Sequence, residues 1–202
     1  MSTPSQTKRP LSTKALNQLF LEARTYNHWL PKSVPTSMFV RLVDALKMAP
    51  TSANCSPARI VFVKGKRAKA KLEKCLAPGN VEKTMSAPIT AVIGYDLEFY
   101  EKLPQLFPHA DAKSWFVGND AMIQDTAFRN SSLQGAYLMM AARALGLDCG
   151  AMSGFDAAAV EKAFFPNSKI KANFLCNLGY GDTKDMYPRS PRFTFDEFCS
   201  IV

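Results

Sequence analysis

Histidine is nearly absent: His28 and His109 are the only two in 202 residues. A zinc site or a catalytic triad built on imidazole therefore has few possible members. The five cysteines, Cys55, Cys75, Cys149, Cys176 and Cys199, are odd in number and widely spaced. They match neither a disulfide framework nor paired C-x-x-C zinc ligands, so free thiols and no metal are expected. No apolar run approaches the ~18–20 residues of a membrane span, and Met1 to Pro10 carries no apolar signal region. The expectation is a soluble, cytoplasmic protein with no membrane partner. Glycine (10) and proline (13) are not in excess, and 47% of residues are hydrophobic against 21% charged. That excludes disordered, collagen-like and low-complexity classes. The length suits one domain over residues 15–202 behind a flexible leader at 1–14.

Acid is also scarce, giving a net charge of +8, but the excess is local. Residues 1–14 carry +3, residues 64–74 carry +5, and the other 177 balance. The second run, Lys64 to Lys74, has no interleaved aromatics and reads as a solvated, Lys/Ala-rich helix face, so no nucleic-acid partner is expected.

Apolar spacing predicts helices over 16–23, 38–48, 119–145 and 157–165, with Pro50 stopping the second and Gly146 ending the third. The third helix, with Ile123, Ala127, Tyr137, Met140, Ala141 and Ala144 as its apolar positions, would be about 40 Å long. That exceeds the width of a 200-residue globule and calls for a partner surface. Short β-branched runs at 60–63, 89–95 and 174–180 read as strands. Strands separated by helices rather than tight turns indicate an α+β or α/β domain.

Four places concentrate chemistry. Pro50-Thr51-Ser52-Ala53-Asn54-Cys55-Ser56-Pro57 sets hydroxyl and amide groups between prolines, and serves equally as a connecting turn. Its Cys55 lies outside any apolar element, so a thiol enzyme built on it stands as an alternative, though no base lies nearby in sequence. Asn80 and Lys83, one helical turn apart, offer an amide and an ammonium on one face. Gly150 to Phe155 is a small-residue loop where backbone could approach a ligand. Arg24, Arg189 and Arg192 lie outside the basic runs and could clamp a phosphate with planar guanidinium forks.

In this order, these segments resemble the FMN-dependent nitroreductase family across residues 15–202. The resemblance also rests on Thr126 to Ser132, Ala144 to Asp148 and Leu178 to Asp182. The runs Thr51 to Phe62 and Met152 to Asp156 are similar to the malonic semialdehyde reductase (RutE/HadB-like) branch of pyrimidine degradation. The resemblance implies an α+β, nitroreductase-like three-layer fold with a central, mostly antiparallel sheet flanked by helices, as an intertwined homodimer. It also implies FMN at the interface and NADPH or NADH as electron donor. Arg24 and Arg192 would hold the phosphate, Asn80 and Lys83 would meet the pyrimidine edge, and Ser153-Gly154 would pass the ring. Pro50, Thr51, Ser52 and Asn54 would come from the other subunit. Lys83 would stabilise the negative charge of reduced flavin. The family's first motif reads Arg-x-Ser-x-Arg or Lys; here Arg24-Thr25-Tyr26-Asn27-His28 places Thr25 and Asn27 beside the arginine instead.

The acceptor implied by the branch is malonic semialdehyde (3-oxopropanoate), reduced to 3-hydroxypropanoate by ping-pong hydride transfer; a generic nitroaromatic or quinone reductase is the alternative. Leu97 to Gly118 inserts an aromatic-rich excursion including His109 and Trp115, read either as a lid or as a satellite cluster. A substrate carboxylate there needs a cation, with Arg59 or Lys113 the candidates, and His109 or water the proton source.

Overall fold

The computed structural model describes residues 9–202. Most of the expected leader, residues 1–8, therefore lies outside the described residues, and Ser12 already caps the first helix. The chain runs α1 (Thr13–Leu16), a wide helical turn (Asn17–Leu21), β1 (His28–Trp29), α2 (Ser37–Leu46), β2 (Ala58–Val63), α3 (Lys66–Glu73) and α4 (Pro78–Ser86). It continues through β3 (Ile89–Asp96), α5 (Leu103–Leu106), α6 (Asp120–Ala144), β4 (Asp148–Met152), α7 (Ala157–Phe164), β5 (Ile170–Gly179), β6 (Gly181–Asp182) and α8 (Phe195–Phe198).

Four strands form the main sheet in the order β2-β3-β5-β4, every neighbouring pair antiparallel. β3 and β5 are the central strands and are covered on both faces, and β3, buried from Ile89 to Tyr95, reads as a nearly continuous apolar run rather than an alternating one. Ile89, Ala91 and Ile93 face one layer with Leu42 and Leu46 of α2 and Leu138, Ala141 and Ala142 of α6. Val92 and Leu175 face the other with Leu72 of α3 and Val160 of α7. Helices thus cover both faces of an antiparallel sheet, the expected three-layer α+β architecture.

Both ends of α6 are specified by local chemistry. Asn119 Oδ1 accepts from the Met122 amide at 3.1 Å, satisfying one of the free donors of the first turn. At the other end Gly146 adopts φ +78°, its amide donates to the Arg143 carbonyl and that of Leu147 to the Ala142 carbonyl. This is the paired closure that a left-handed residue after a helix permits.

Four sequence expectations need correction. The first half of the loop expected over 150–155, Gly150 to Met152, belongs to the edge strand β4, whose short Asp-Cys-Gly-Ala-Met sequence lacks the β-branched signature of a strand. The third strand begins at Ile170, four residues early, and ends at Gly179. Tyr137 points outward while its neighbour Leu138 enters the core. The Lys64–Lys74 face is not wholly solvated: Lys69 is 5% exposed, and burial pulls its ammonium down to about 8.

β4 owes its outer cover to Gly150. The Arg24–Trp29 segment runs alongside it, with a parallel bridge between Thr25 and Cys149 and the Tyr26 amide donating to the Cys149 carbonyl at 3.0 Å. A Cβ on Gly150 would lie 2.5 Å from the Tyr26 carbonyl oxygen and 3.2 Å from the Trp29 ring. Gly150→Ala should therefore destabilise the fold by about 1–3 kcal/mol. Urea unfolding with an unchanged slope and a lowered midpoint is the expected result.

Candidate functional site

The Arg24–Trp29 segment delivers Arg24 to a cavity of about 420 Å³. Arg143, from the last turn of α6, and Arg189 and Arg192, from the strand-free stretch before α8, line the same cavity. Main-chain carbonyls hold all four guanidinium groups. Arg24 Nη2 donates to Tyr187 O at 2.5 Å, Arg143 Nη1 to Leu19 O at 3.0 Å, and Arg189 Nη2 to Leu21 O and Ala23 O. Arg192 Nη1 donates to Ser190 O and Pro191 O. None of the four forms an ion pair among the described residues, whose pairs are Lys47–Asp44, Arg59–Asp96, Lys113–Glu101 and Lys171–Glu161. Arg143 Nε is a buried donor with no partner among the described residues. Four fixed cations without carboxylates, one with an orphaned N–H, make an anion receptor whose remaining forks suit a phosphate. Thr25 lines this cavity too; Asn27 lines a smaller one of about 90 Å³ on the other side of Arg24.

A second cluster joins α4 to the end of β4. Asn80 Nδ2 donates to Gly154 O at 2.7 Å, and the Ala77 amide donates to the same oxygen. A Cβ on Gly154 would sit 2.5 Å from Asn80 Nδ2, so a side chain there would displace the Asn80 amide. Ser153 is exposed beside it. One turn further along α4, the Lys83 carbonyl accepts from Trp29 Nε1 at 3.0 Å and from Asn177 Nδ2 at 3.1 Å. Trp29 ends the same segment that carries Arg24, and thus links the two clusters.

The third group, Pro50 to Asn54, lies elsewhere, ahead of β2 at the opposite edge of the sheet. Three strand spacings, about 14 Å, separate β2 from β4. Ala53, Asn54 and Ser56 all have positive φ, between 40° and 52°, a costly backbone for residues with side chains. Buried amides of α6 hold it: the Ser52 amide donates to Asn130 Oδ1 at 2.9 Å and the Ala58 amide to Gln134 Oε1 at 2.8 Å. Thr51 Oγ1 accepts from the Ser56 amide, and Asn54 Nδ2 donates to Leu106 O at 2.8 Å.

That last bond ties the loop to the Leu97–Gly118 excursion. Phe99, Leu103, Ala112 and Phe116 form a small core with Cys55 and with Ile123 and Ala127 of α6. Trp115 and His109 stay exposed, each edge-on to Phe107. Arg59 Nη2 pairs with Asp96 at 2.8 Å, and Lys113 Nζ with Glu101 at 2.6 Å; hydrogen bonding to Glu101 raises the Lys113 ammonium above the usual lysine range.

Sequence reasoning assigned no role to Arg143, Asn130, Gln134, Trp29 or Asn177. The two amides had a detectable signature, polar residues on the inward face of an otherwise apolar-faced helix. Arg143 and Asn177 had none, because their roles depend on which elements meet.

The fold and this cavity define an α+β protein that gathers four arginines free of carboxylate partners among the described residues. The chain belongs to the nitroreductase family, whose sequence profile matches residues 21–180. It is 60% identical over 192 residues (95% of this chain, 98% of the relative) to a protein of Polynucleobacter asymbioticus provisionally named NADH dehydrogenase/NAD(P)H nitroreductase. It is 54% identical over 194 residues (95% and 99%) to a similarly named protein, HadB, of Ralstonia pickettii. A solved structure from Exiguobacterium sibiricum, provisionally named a nitroreductase and in complex with FMN, superimposes with a TM-score of 0.82 at 17% identity, covering 96% of this chain and 100% of that one.

Cys55 is poorly suited to nucleophilic attack, since burial pushes its thiol up to about 11 and leaves a thiolate fraction near 10⁻⁴, roughly, at pH 7. Iodoacetamide at neutral pH should label exposed Cys199 and spare Cys55. Peptide mapping that finds Cys55 modified as fast as Cys199 would contradict this.

Proposed function

We propose that this protein is an FMN-dependent NAD(P)H oxidoreductase acting as a homodimer. The observation that carries the reading is the four-arginine cavity, free of ion pairs among the described residues, linked through Trp29 to the Asn80–Lys83 face of α4. FMN, when bound, supplies a two-electron carrier that accepts hydride from NADPH or NADH and yields it to a second substrate.

The chain's own residues bind and orient. Arg24 and Arg192, joined by Arg143 and Arg189, hold the phosphate dianion, with Thr25 and Asn27 flanking Arg24. Asn80 offers an amide to the pyrimidine edge, and Lys83 offers an ammonium where negative charge gathers on reduction. Ser153 and Gly154 let main chain pass close to the ring. Pro50, Thr51, Ser52 and Asn54 close the site from the second copy, bringing their excursion with its Trp115 and His109 to the substrate's side. The exposed apolar residues of α6, Met122, Phe128, Leu133 and Tyr137, support such a partner surface.

The acceptor proposed is 3-oxopropanoate, reduced to 3-hydroxypropanoate. A second reading, reduction of neutral nitroaromatics or quinones, draws support from the ion pairs that occupy both candidate carboxylate anchors, Arg59 and Lys113. Steady-state rates with 3-oxopropanoate, a nitroaromatic and a quinone separate the two. If Arg59 or Lys113 anchors a carboxylate, its alanine variant loses rate with 3-oxopropanoate and keeps it with the quinone.

Purified protein given excess FMN and desalted should retain one flavin per chain, and a colourless protein would sink the reading. Arg192→Ala should weaken FMN by about 1.5–3 kcal/mol, the range for hydrogen bonds to charged groups. Riboflavin, which lacks the phosphate, should bind both proteins alike.

A further inference from the structure

Lys69 is a lysine inside the protein with no carboxylate partner among the described residues. An ammonium taken out of water is costly unless its donors are filled, and here two of the three are filled, from α4 and β3. Nζ donates to the Thr84 carbonyl at 2.7 Å and to Thr90 Oγ1 at 2.7 Å. Because an ammonium only donates, the Thr90 oxygen must accept from it, and the Thr90 hydroxyl then turns to Asn177 Oδ1 at 2.7 Å. With its oxygen engaged, Asn177 directs Nδ2 at the Lys83 carbonyl, 3.1 Å away.

One buried charge therefore sets the direction of every bond in the relay. Its two ends are the carbonyls of residues 83 and 84 in the last turn of α4, where a helix runs out of its own amide donors; Ser86 Oγ reaches the first of them only at 3.4 Å. A cation at a helix C-terminus is also favoured by the helix dipole. Burial lowers the ammonium to about 8, so at pH 7 the charged form predominates.

We propose that Lys69 is a positioning residue for the flavin ring: by capping α4 directly and through Thr90 and Asn177, it holds Lys83 where the charge of reduced FMN develops. The inference rests on the FMN reading above. Its consequence is differential. A Lys83 ammonium held in register interacts more strongly with the reduced, anionic ring than with the oxidised one, so losing the cap weakens reduced FMN more than oxidised FMN. A role in stability alone would weaken both forms equally and leave the reduction potential where it was.

Lys69→Met keeps the length of the side chain and removes the charge; Thr90→Val keeps the charge and cuts the relay. The measurements are the FMN dissociation constant of each apoprotein, the two-electron midpoint potential of each reconstituted protein at pH 7 by redox titration, and thermal unfolding of the apoproteins. For Lys69→Met the expected result is a further tenfold loss of affinity in the reduced state beyond any loss in the oxidised state. It reads as a midpoint potential lower by about 30 mV, and Thr90→Val should shift it in the same direction. If Lys69→Met does not fold, Thr90→Val carries the test. An unchanged potential in every variant that folds and binds FMN overturns the proposal, whatever happens to stability. A wild-type protein that binds no FMN instead overturns the reading it rests on.

Discussion

The order of strands in one sheet governs how the site can be assembled. With β2 at one edge and β4 at the other, the Thr51–Asn54 loop hangs from one side, and the arginine cavity with the α4 face hangs from the other. Antiparallel strands of this kind cannot be drawn closer than their hydrogen-bond spacing, so the two halves stay apart within a chain. In the proposed homodimer the second copy supplies the missing half, and the long α6 gives it a surface to meet. The same helix anchors both halves, since Asn130 and Gln134 hold the loop while Arg143, at its far end, enters the anion cavity.

Polar groups inside the protein follow a pattern. Asn130, Gln134, Thr90, Asn177 and Lys69 all find partners, as buried polar groups must if they are not to cost stability. Each also fixes a piece of main chain that carries site residues: a left-handed loop in one case, the last turn of α4 in the other. The exception among the described residues is Arg143 Nε, and it lies in the wall of the cavity proposed for a phosphate. A donor left without a partner in the folded chain is what an anion-binding surface requires.

Much of this was legible in the residues themselves. The 119–145 helix, its Asn119 start and its Gly146 end depend on local periodicity and capping, which neighbouring residues decide. The β-branched runs of β2 and β3 likewise carry their own propensity. Arg24, Arg189 and Arg192 stood out because they fall outside the basic runs, and the motif order from Pro50 to Asp182 sufficed for the family. β4 was missed because Asp-Cys-Gly-Ala-Met has little strand propensity; pairing with β5 and the cover of Tyr26 and Trp29 impose the conformation from outside.

Lys69 marks the limit most clearly. Within Lys64–Lys74 nothing separates it from Lys66, Arg67, Lys71 and Lys74, the other cations of a helix that looks solvated. Composition and local spacing determined that α3 would form and that it would be basic. Only the packing of α3 against α4 and β3 decided that one of those cations would leave water and meet a carbonyl, because the cost of burying a charge and the bonds that offset it depend on elements distant in sequence. The same holds for Arg143 joining Arg24, Arg189 and Arg192: four residues spread over 169 positions become one receptor only when the chain has folded.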